Sequence, residues 1–218
     1  MDNKKFNIGF FGHSNCAGSQ PDSYLRILAE HFNATIINKG VGQCSEERIL
    51  FEIKKCKNLD MAVICHSRAS SLYLPRCTRD IDIGANEIKA YRGTYGNIPS
   101  IFQTEKEFIA CITYYRHYLY DTNLHLSRFQ GALLLVDSYC ASKIPVVIHI
   151  LDESHKPNWF TTFSSGIRSK EAESVIKNNR GTHSNGMTIE GNKKIAEILI
   201  DLITQQLADR GRVAHTPT

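Results

Sequence analysis

The sequence predicts a three-layer α/β/α domain around a central parallel sheet. Three observations carry that expectation. Short apolar runs alternate along the chain with segments of helical spacing. The runs at 61–65 (MAVIC) and 146–151 (VVIHIL) are apolar nearly throughout, as strands covered on both faces must be. Turns rich in Gly, Ser and Asn follow several of these runs, where a strand hands over to a helix. Alternating strands and helices imply right-handed crossovers and therefore a parallel sheet.

The first strand is expected at 7–11 and a helix at 22–31, after Pro21. A second strand at 34–38 runs into the turn Lys39-Gly40-Val41-Gly42. A helix is expected over 45–55, with Ser45 as N-cap and Ile49, Leu50 and Ile53 on one face. The third strand is 61–65. Residues 67–103 carry Pro75, Gly84, Gly93, Gly96 and Pro99 and read as an insertion over the strand ends; long loops of this kind are commonly functional. Thr104 with Glu107 three residues on is a capping box that starts a helix to 120. Helices at 124–141, 169–177 and 189–207, a fourth strand at 146–151 and a fifth somewhere in 156–166 complete the layout. One domain over 1–208 is expected, with 209–218 a disordered tail.

Composition sets bounds. The 218 residues are 42% hydrophobic and 22% charged, which is ordinary for a globular chain able to bury a two-faced sheet. A net charge of +4 suits an anionic substrate but does not predict nucleic-acid binding. Seven Cys with no C-x-x-C pair indicate neither a disulfide framework nor a zinc ribbon, so reduced thiols in a cytoplasmic protein are expected. No secretory signal and no membrane span are read from the sequence. His149, His155 and His183 have no recognised metal spacing, and neither metal nor cofactor is expected.

Crossover geometry places the loops after strands one to four on one edge of the sheet. Ser14, Gly40 and Gly42, His66 and Ser67 therefore converge there, and the polar loop before the last helix can reach the same edge. Ser14 is the candidate nucleophile, set against its reading as a plain turn and cap residue. His13 is read as a neighbour that hydrogen-bonds across the loop, Cys16 and Cys44 as small buried residues, and His149 as a core histidine with its polar atoms satisfied.

Together these segments resemble the SGNH (GDSL-like) hydrolases. Gly12-His13-Ser14 stands where that family has Gly-Asp-Ser, with His in place of Asp. Asn38-Lys39-Gly40-Val41-Gly42 resembles its Asn-x-Gly turn. The resemblance implies a flavodoxin-like three-layer fold and a serine ester hydrolase or acyltransferase for a small acylated substrate; the net charge and the Arg and Tyr residues of 67–128 suit an anionic or sugar-bearing one. Ser14 would be the nucleophile. The oxyanion would be held by N–H groups of Ser14 and Gly42 or Gly40, with Ser67 a further donor. His66, Arg68, Arg76 and Arg79 are the candidates for substrate contact.

Two departures matter. After the third strand the family offers an Asn side chain, and here the chain reads Cys65-His66-Ser67-Arg68. Loss of one oxyanion donor typically costs about 10²–10³ in turnover. The family's Asp-x-x-His before the last helix meets Arg180-Gly181-Thr182-His183 here. Aligned on His183, the base is present and its acid is replaced by Arg180, leaving Asp152, Glu153 or a backbone carbonyl to orient the ring. Aligned backward from Gly191, Gly186 takes the His position and the base is gone. The second functional class is therefore a degenerate member that binds a ligand or partner without catalysis. The oligomeric state is not legible in the sequence.

Overall fold

The structure is a computed structural model that describes residues 5–16, 18, 20–42, 44–66, 71–73, 80–82, 104–151, 162–180 and 187–209. Its sheet has five strands, β1 (Phe6–Gly12), β2 (Ala34–Gly40), β3 (Met61–Cys65), β6 (Val146–Ile150) and β7 (Ile167–Arg168). They lie in the order β2-β1-β3-β6-β7, and every pairing is parallel. The expected architecture is present: a parallel sheet with helices on both faces.

The two faces follow from the strand period of two. Ile8, Phe10, Met61, Val63, Cys65, Val146, Ile148 and Ile150 point to one side. There they meet α1 (Tyr24–His31), α5 (Lys170–Asn178) and α6 (Ile189–Asp209) through Leu25, Leu28, Ala172, Ile195, Leu199 and Ile203. Phe11, Ala62, Ile64 and Val147 point to the other side. They meet α2 (Glu46–Lys55) and α4 (Thr122–Lys143) through Ile49, Ile53, Val136 and Cys140.

Helix starts are chemically marked. The Ser45 hydroxyl accepts from the Arg48 N–H, the Asp121 carboxylate from Leu124 and the Ser169 hydroxyl from Ala172. Glu46 and Glu47 in the first turn of α2 and Lys54 and Lys55 in its last complement the helix dipole. The Thr104–Glu107 capping box is formed at the start of α3 (Glu105–Tyr114).

Three details differ from the sequence reading. The helix expected to run to 120 gives way at Tyr115 to a π-helical stretch, Tyr115–Leu119. Two-residue strands β4 (Ser71–Leu72) and β5 (Ile81–Asp82) pair antiparallel inside the region read as irregular. The fifth sheet strand lies at Ile167–Arg168, just past the expected 156–166, and is preceded by Gly166, where a Cβ would collide with the Val147 carbonyl. Runs of two residues leave no periodicity to read.

Candidate functional site

Because all five strands are parallel, the loops after β1, β2, β3 and β6 share the carboxyl edge of the sheet. β1 ends at Gly12, with φ of 114°, a region glycine enters freely and other residues rarely adopt. The turn it makes is held at both flanks. The His13 N–H donates to the Cys65 carbonyl at the end of β3, at 3.0 Å, and the Gly12 carbonyl accepts from Val41 after β2, at 2.9 Å. A single 3₁₀ turn, Ser14–Cys16, follows, closed by the Cys16 N–H on the His13 carbonyl.

Ser14 sits half-buried on this turn, and its Oγ lies 2.7 Å from His13 Nδ1. When His13 carries its proton on Nε2, the hydroxyl donates to Nδ1 and its oxygen lone pairs are left for a reacting carbon. Cys16 is fully buried. The Tyr24 hydroxyl donates to its Sγ at 3.4 Å, so it belongs to the core and not to the edge. Burial pushes the thiols of Cys44 and Cys65 well up and that of Cys140 up to about 12, which leaves them protonated and unreactive.

The second turn separates its two glycines. The Gly40 N–H donates to Asn38 Oδ1 at 2.9 Å and is occupied in this geometry. Gly42 has open space on the side where a Cβ would stand. Asn38 therefore shapes the turn, and its Nδ2 also reaches the Gly18 carbonyl at 3.4 Å.

His66 does not face the edge as a substrate contact would. It is 1% exposed, and its backbone N–H closes onto Ile150 at 2.8 Å. Its ring turns inward, with Nδ1 3.0 Å from Glu46 Oε2 and Nε2 2.8 Å from His149 Nδ1. The reason is parity: His66 continues the side of β3 that Ala62 and Ile64 take, the side packed against α2 and α4. His149 is fully buried on the same side, as a core histidine, and its Nε2 lies 2.8 Å from Ser165 Oγ. Ser165 Oγ donates to Asp137 Oδ1 at 2.6 Å. The Phe163 ring stacks on His149 at 3.7 Å between centroids.

Sequence reasoning missed Glu46, Asp137, Ser165 and Glu173. The signal available was His149 inside an apolar run, since a buried imidazole demands partners. Glu173, 2% exposed, accepts from the Leu151 N–H at the end of β6 and takes a two-pronged ion pair from Arg168 at 2.7 and 2.9 Å. Asp80 is pinned by Arg48 and by the Ser45 N–H, both at 2.7 Å, which ties the residue just before β5 to the start of α2.

Ser67, Arg68, Arg76, Arg79, Asp152, Glu153, His183 and Gly186 lie outside the described residues. The segment that carries His183 and Gly186 is bracketed by the antiparallel bridge between Arg180 and Met187 and by the Thr188 N–H on the Asn179 carbonyl. Among the described residues, no group of His, Cys, Asp and Glu is arranged to hold a metal ion, and no helix is long and apolar enough to cross a membrane.

A comparison with protein-family models finds no match, and a comparison with curated proteins finds none either. Solved structures do resemble the chain. One is a protein assigned to the G-D-S-L lipolytic family from Desulfitobacterium hafniense DCB-2, at 12% identity and a TM-score of 0.46, covering 91% of this chain and 99% of that one. Another is a carbohydrate acetylesterase family member from Sinorhizobium meliloti, at 12% identity and 0.41, covering 93% and 99%. A third is LAE5, an alpha/beta hydrolase enzyme from the metagenome of Lake Arreo, Spain, at 10% and 0.47, covering 95% and 96%. Likeness at these values carries no argument about this chain, whose fold is read from its own strand order and pairing. Residue roles rest on the geometry of this chain.

The buried groups set an acid limit on stability. Burial, and then the charge of His66, hold His149 well below the usual histidine range. Burial works to raise the Asp137 carboxyl, but hydrogen bonds from the hydroxyls and N–H groups of Ser165 and Ser164 outweigh it and hold Asp137 below its ordinary value. The unfolded chain protonates His149 near pH 6.5, while the folded chain does not. It therefore binds more protons below that pH, and stability falls as pH falls. Melting temperature is expected to decline from about pH 6.5 downward and more steeply below about pH 4, where Asp137 joins. Thermal melts of the parent and of His149→Gln check this. The decline between pH 6.5 and 5 should flatten in the variant.

Proposed function

We propose that the protein is a serine ester hydrolase or acyltransferase acting on a small acylated substrate, with Ser14 as nucleophile. The observation that carries the reading is the 2.7 Å contact of Ser14 Oγ with an imidazole nitrogen, on a turn at the carboxyl edge of a parallel sheet. A serine hydroxyl is a weak nucleophile until a neighbouring base takes its proton.

The steps follow from that arrangement. Ser14 Oγ bonds to the acyl carbon as its proton passes to the imidazole. The carbonyl oxygen gains charge and is held by N–H groups of Ser14 and Gly42, since the N–H of Gly40 is occupied by Asn38. The imidazolium returns the proton to the departing alcohol oxygen, which leaves an acyl-serine. Water, or an acceptor alcohol, repeats the sequence in reverse. Localisation in the cytoplasm and recognition of an anionic or sugar-bearing substrate by Arg68, Arg76 and Arg79 belong to the same proposal.

Two imidazoles compete for the base. The resemblance gives the role to His183 when the last motif is aligned on that residue. The geometry favours His13, which already holds the Ser14 hydroxyl. A fluorophosphonate probe together with single variants decides between them. If His13 is the base, His13→Gln removes labelling and turnover, and His183→Ala retains most of both. The opposite pattern assigns the role to His183. Absence of probe labelling on the folded parent would sink the hydrolase reading and leave a binding protein.

A further inference from the structure

Five buried side chains from five segments form one unbroken row. Glu46 begins α2, His66 follows β3, His149 lies in β6, Ser165 leads into β7 and Asp137 lies in α4. The successive gaps are 3.0, 2.8, 2.8 and 2.6 Å. All five residues are buried, from 0% exposure at His149 to 6% at Asp137.

Each gap of that length between two polar atoms needs one hydrogen. With both carboxylates ionised and both histidines neutral, the row carries only the ring hydrogens of His66 and His149 and the hydroxyl hydrogen of Ser165. Four gaps would then share three hydrogens, and one gap would set lone pair against lone pair in a site closed to water. An unfilled gap of that kind is costly when buried. The row therefore holds a fourth hydrogen.

Its position follows from the surroundings. Asp137 accepts four hydrogen bonds, from the N–H and hydroxyl groups of Ser164 and Ser165, and has no vacant direction for a proton. Phe163 stacks on the His149 ring at 3.7 Å between centroids and on the His66 ring at 5.1 Å, so a charge would be the more poorly solvated on His149, which lies nearer to that apolar face. Its register neighbour Arg168 directs its charge to Glu173. Near the other end stand Glu46 itself and the Arg48–Asp80 pair with Cys44; Cys140 stands beside Asp137.

We propose that Glu46, His66, His149, Ser165 and Asp137 form one proton chain, locked in a single direction by a hydrogen held between Glu46 and His66, and that this chain clamps the strand ends that carry the Ser14 turn. The other three hydrogen bonds then point toward Asp137: His66 Nε2–H to His149 Nδ1, His149 Nε2–H to Ser165 Oγ, and Ser165 O–H to Asp137. The mechanical link is short. Cys65, next to His66, gives its carbonyl to the His13 N–H, and His66 gives its own N–H to the Ile150 carbonyl. Moving the extra proton to Asp137 would reverse those three bonds without moving a heavy atom, so the row is a two-state element biased to one side.

The test needs no substrate and stands apart from the hydrolase reading. Long-range proton–nitrogen spectra of the ¹⁵N-labelled full chain at neutral pH report which ring nitrogens carry protons. His149 is expected as the Nε2–H tautomer, with His66 protonated on Nε2. Glu46→Gln supplies the fourth hydrogen covalently through its amide. It should keep the His149 tautomer and a melting temperature within a few degrees of the parent. Asp137→Asn turns an amide NH₂ against N–H and O–H donors of Ser164 and Ser165 and should lower the melting temperature far more. A proton on His149 Nδ1 in the parent, or a Glu46→Gln variant as damaged as Asp137→Asn, would overturn the proposal. The parent spectrum decides even if a variant fails to fold.

Discussion

Ser14→Ala is expected to lower p-nitrophenyl acetate turnover by at least about 10³-fold and to abolish covalent labelling by a fluorophosphonate. The melting temperature should move by no more than a few degrees. The turn does not depend on the hydroxyl: it is held by backbone bonds from His13 to Cys65, from Val41 to Gly12 and from Cys16 to His13. A methyl at residue 14 leaves all three in place. What disappears is the oxygen that lies 2.7 Å from His13 Nδ1. Steady-state assay, intact-mass labelling and a thermal melt on the same preparation separate the chemical effect from the structural one. Labelling that persists in the variant, or that maps to Cys16, would contradict the assignment of Ser14.

Gly12→Ala is expected to be the most damaging small substitution at the edge. Two costs combine there. The backbone has φ of 114°, which an L side chain rarely adopts. A Cβ would also collide with the Cys65 carbonyl oxygen, the same atom that anchors the His13 N–H. Strain and overpacking each run to about 1–3 kcal/mol, so a loss of roughly 3–5 kcal/mol is expected. Turnover should fall with stability, because relief of the clash displaces His13 and Ser14 together. Denaturant unfolding gives the energy, and activity measured well below the melting temperature gives the displacement. A variant of parental stability and activity would show that the β1–β3 contact at this turn is looser than described.

Periodicity was enough for β3, since MAVIC admits no face that could meet water, and its residues 61–65 are all buried as expected. The capped starts at Ser45 and Thr104 were equally legible, because a hydroxyl two or three residues ahead of a donor is a local feature. Gly12 and Ser14 could be singled out for the same reason: a glycine and a serine closing an apolar run are neighbours in sequence before they are neighbours in space. Two-residue strands such as β7 and the π-helical stretch at Tyr115–Leu119 were beyond reach, because packing sets them and no repeat marks them.

The sequence by itself determined the alternation of the four longer strands with helices, the parallel sheet, the shared carboxyl edge and the candidacy of Ser14 on it. Tertiary structure alone decided which imidazole faces which way. His13 and His66 both stand at that edge in sequence, yet His13 turns to the Ser14 hydroxyl and His66 turns into the core toward Glu46 and His149. The physical reason is that a ring's direction depends on strand parity and on hydrogen-bond partners 20 and 83 residues away. Composition and spacing carry no record of such distances. Burial makes them compulsory, since an imidazole closed off from water must find its partners within the fold.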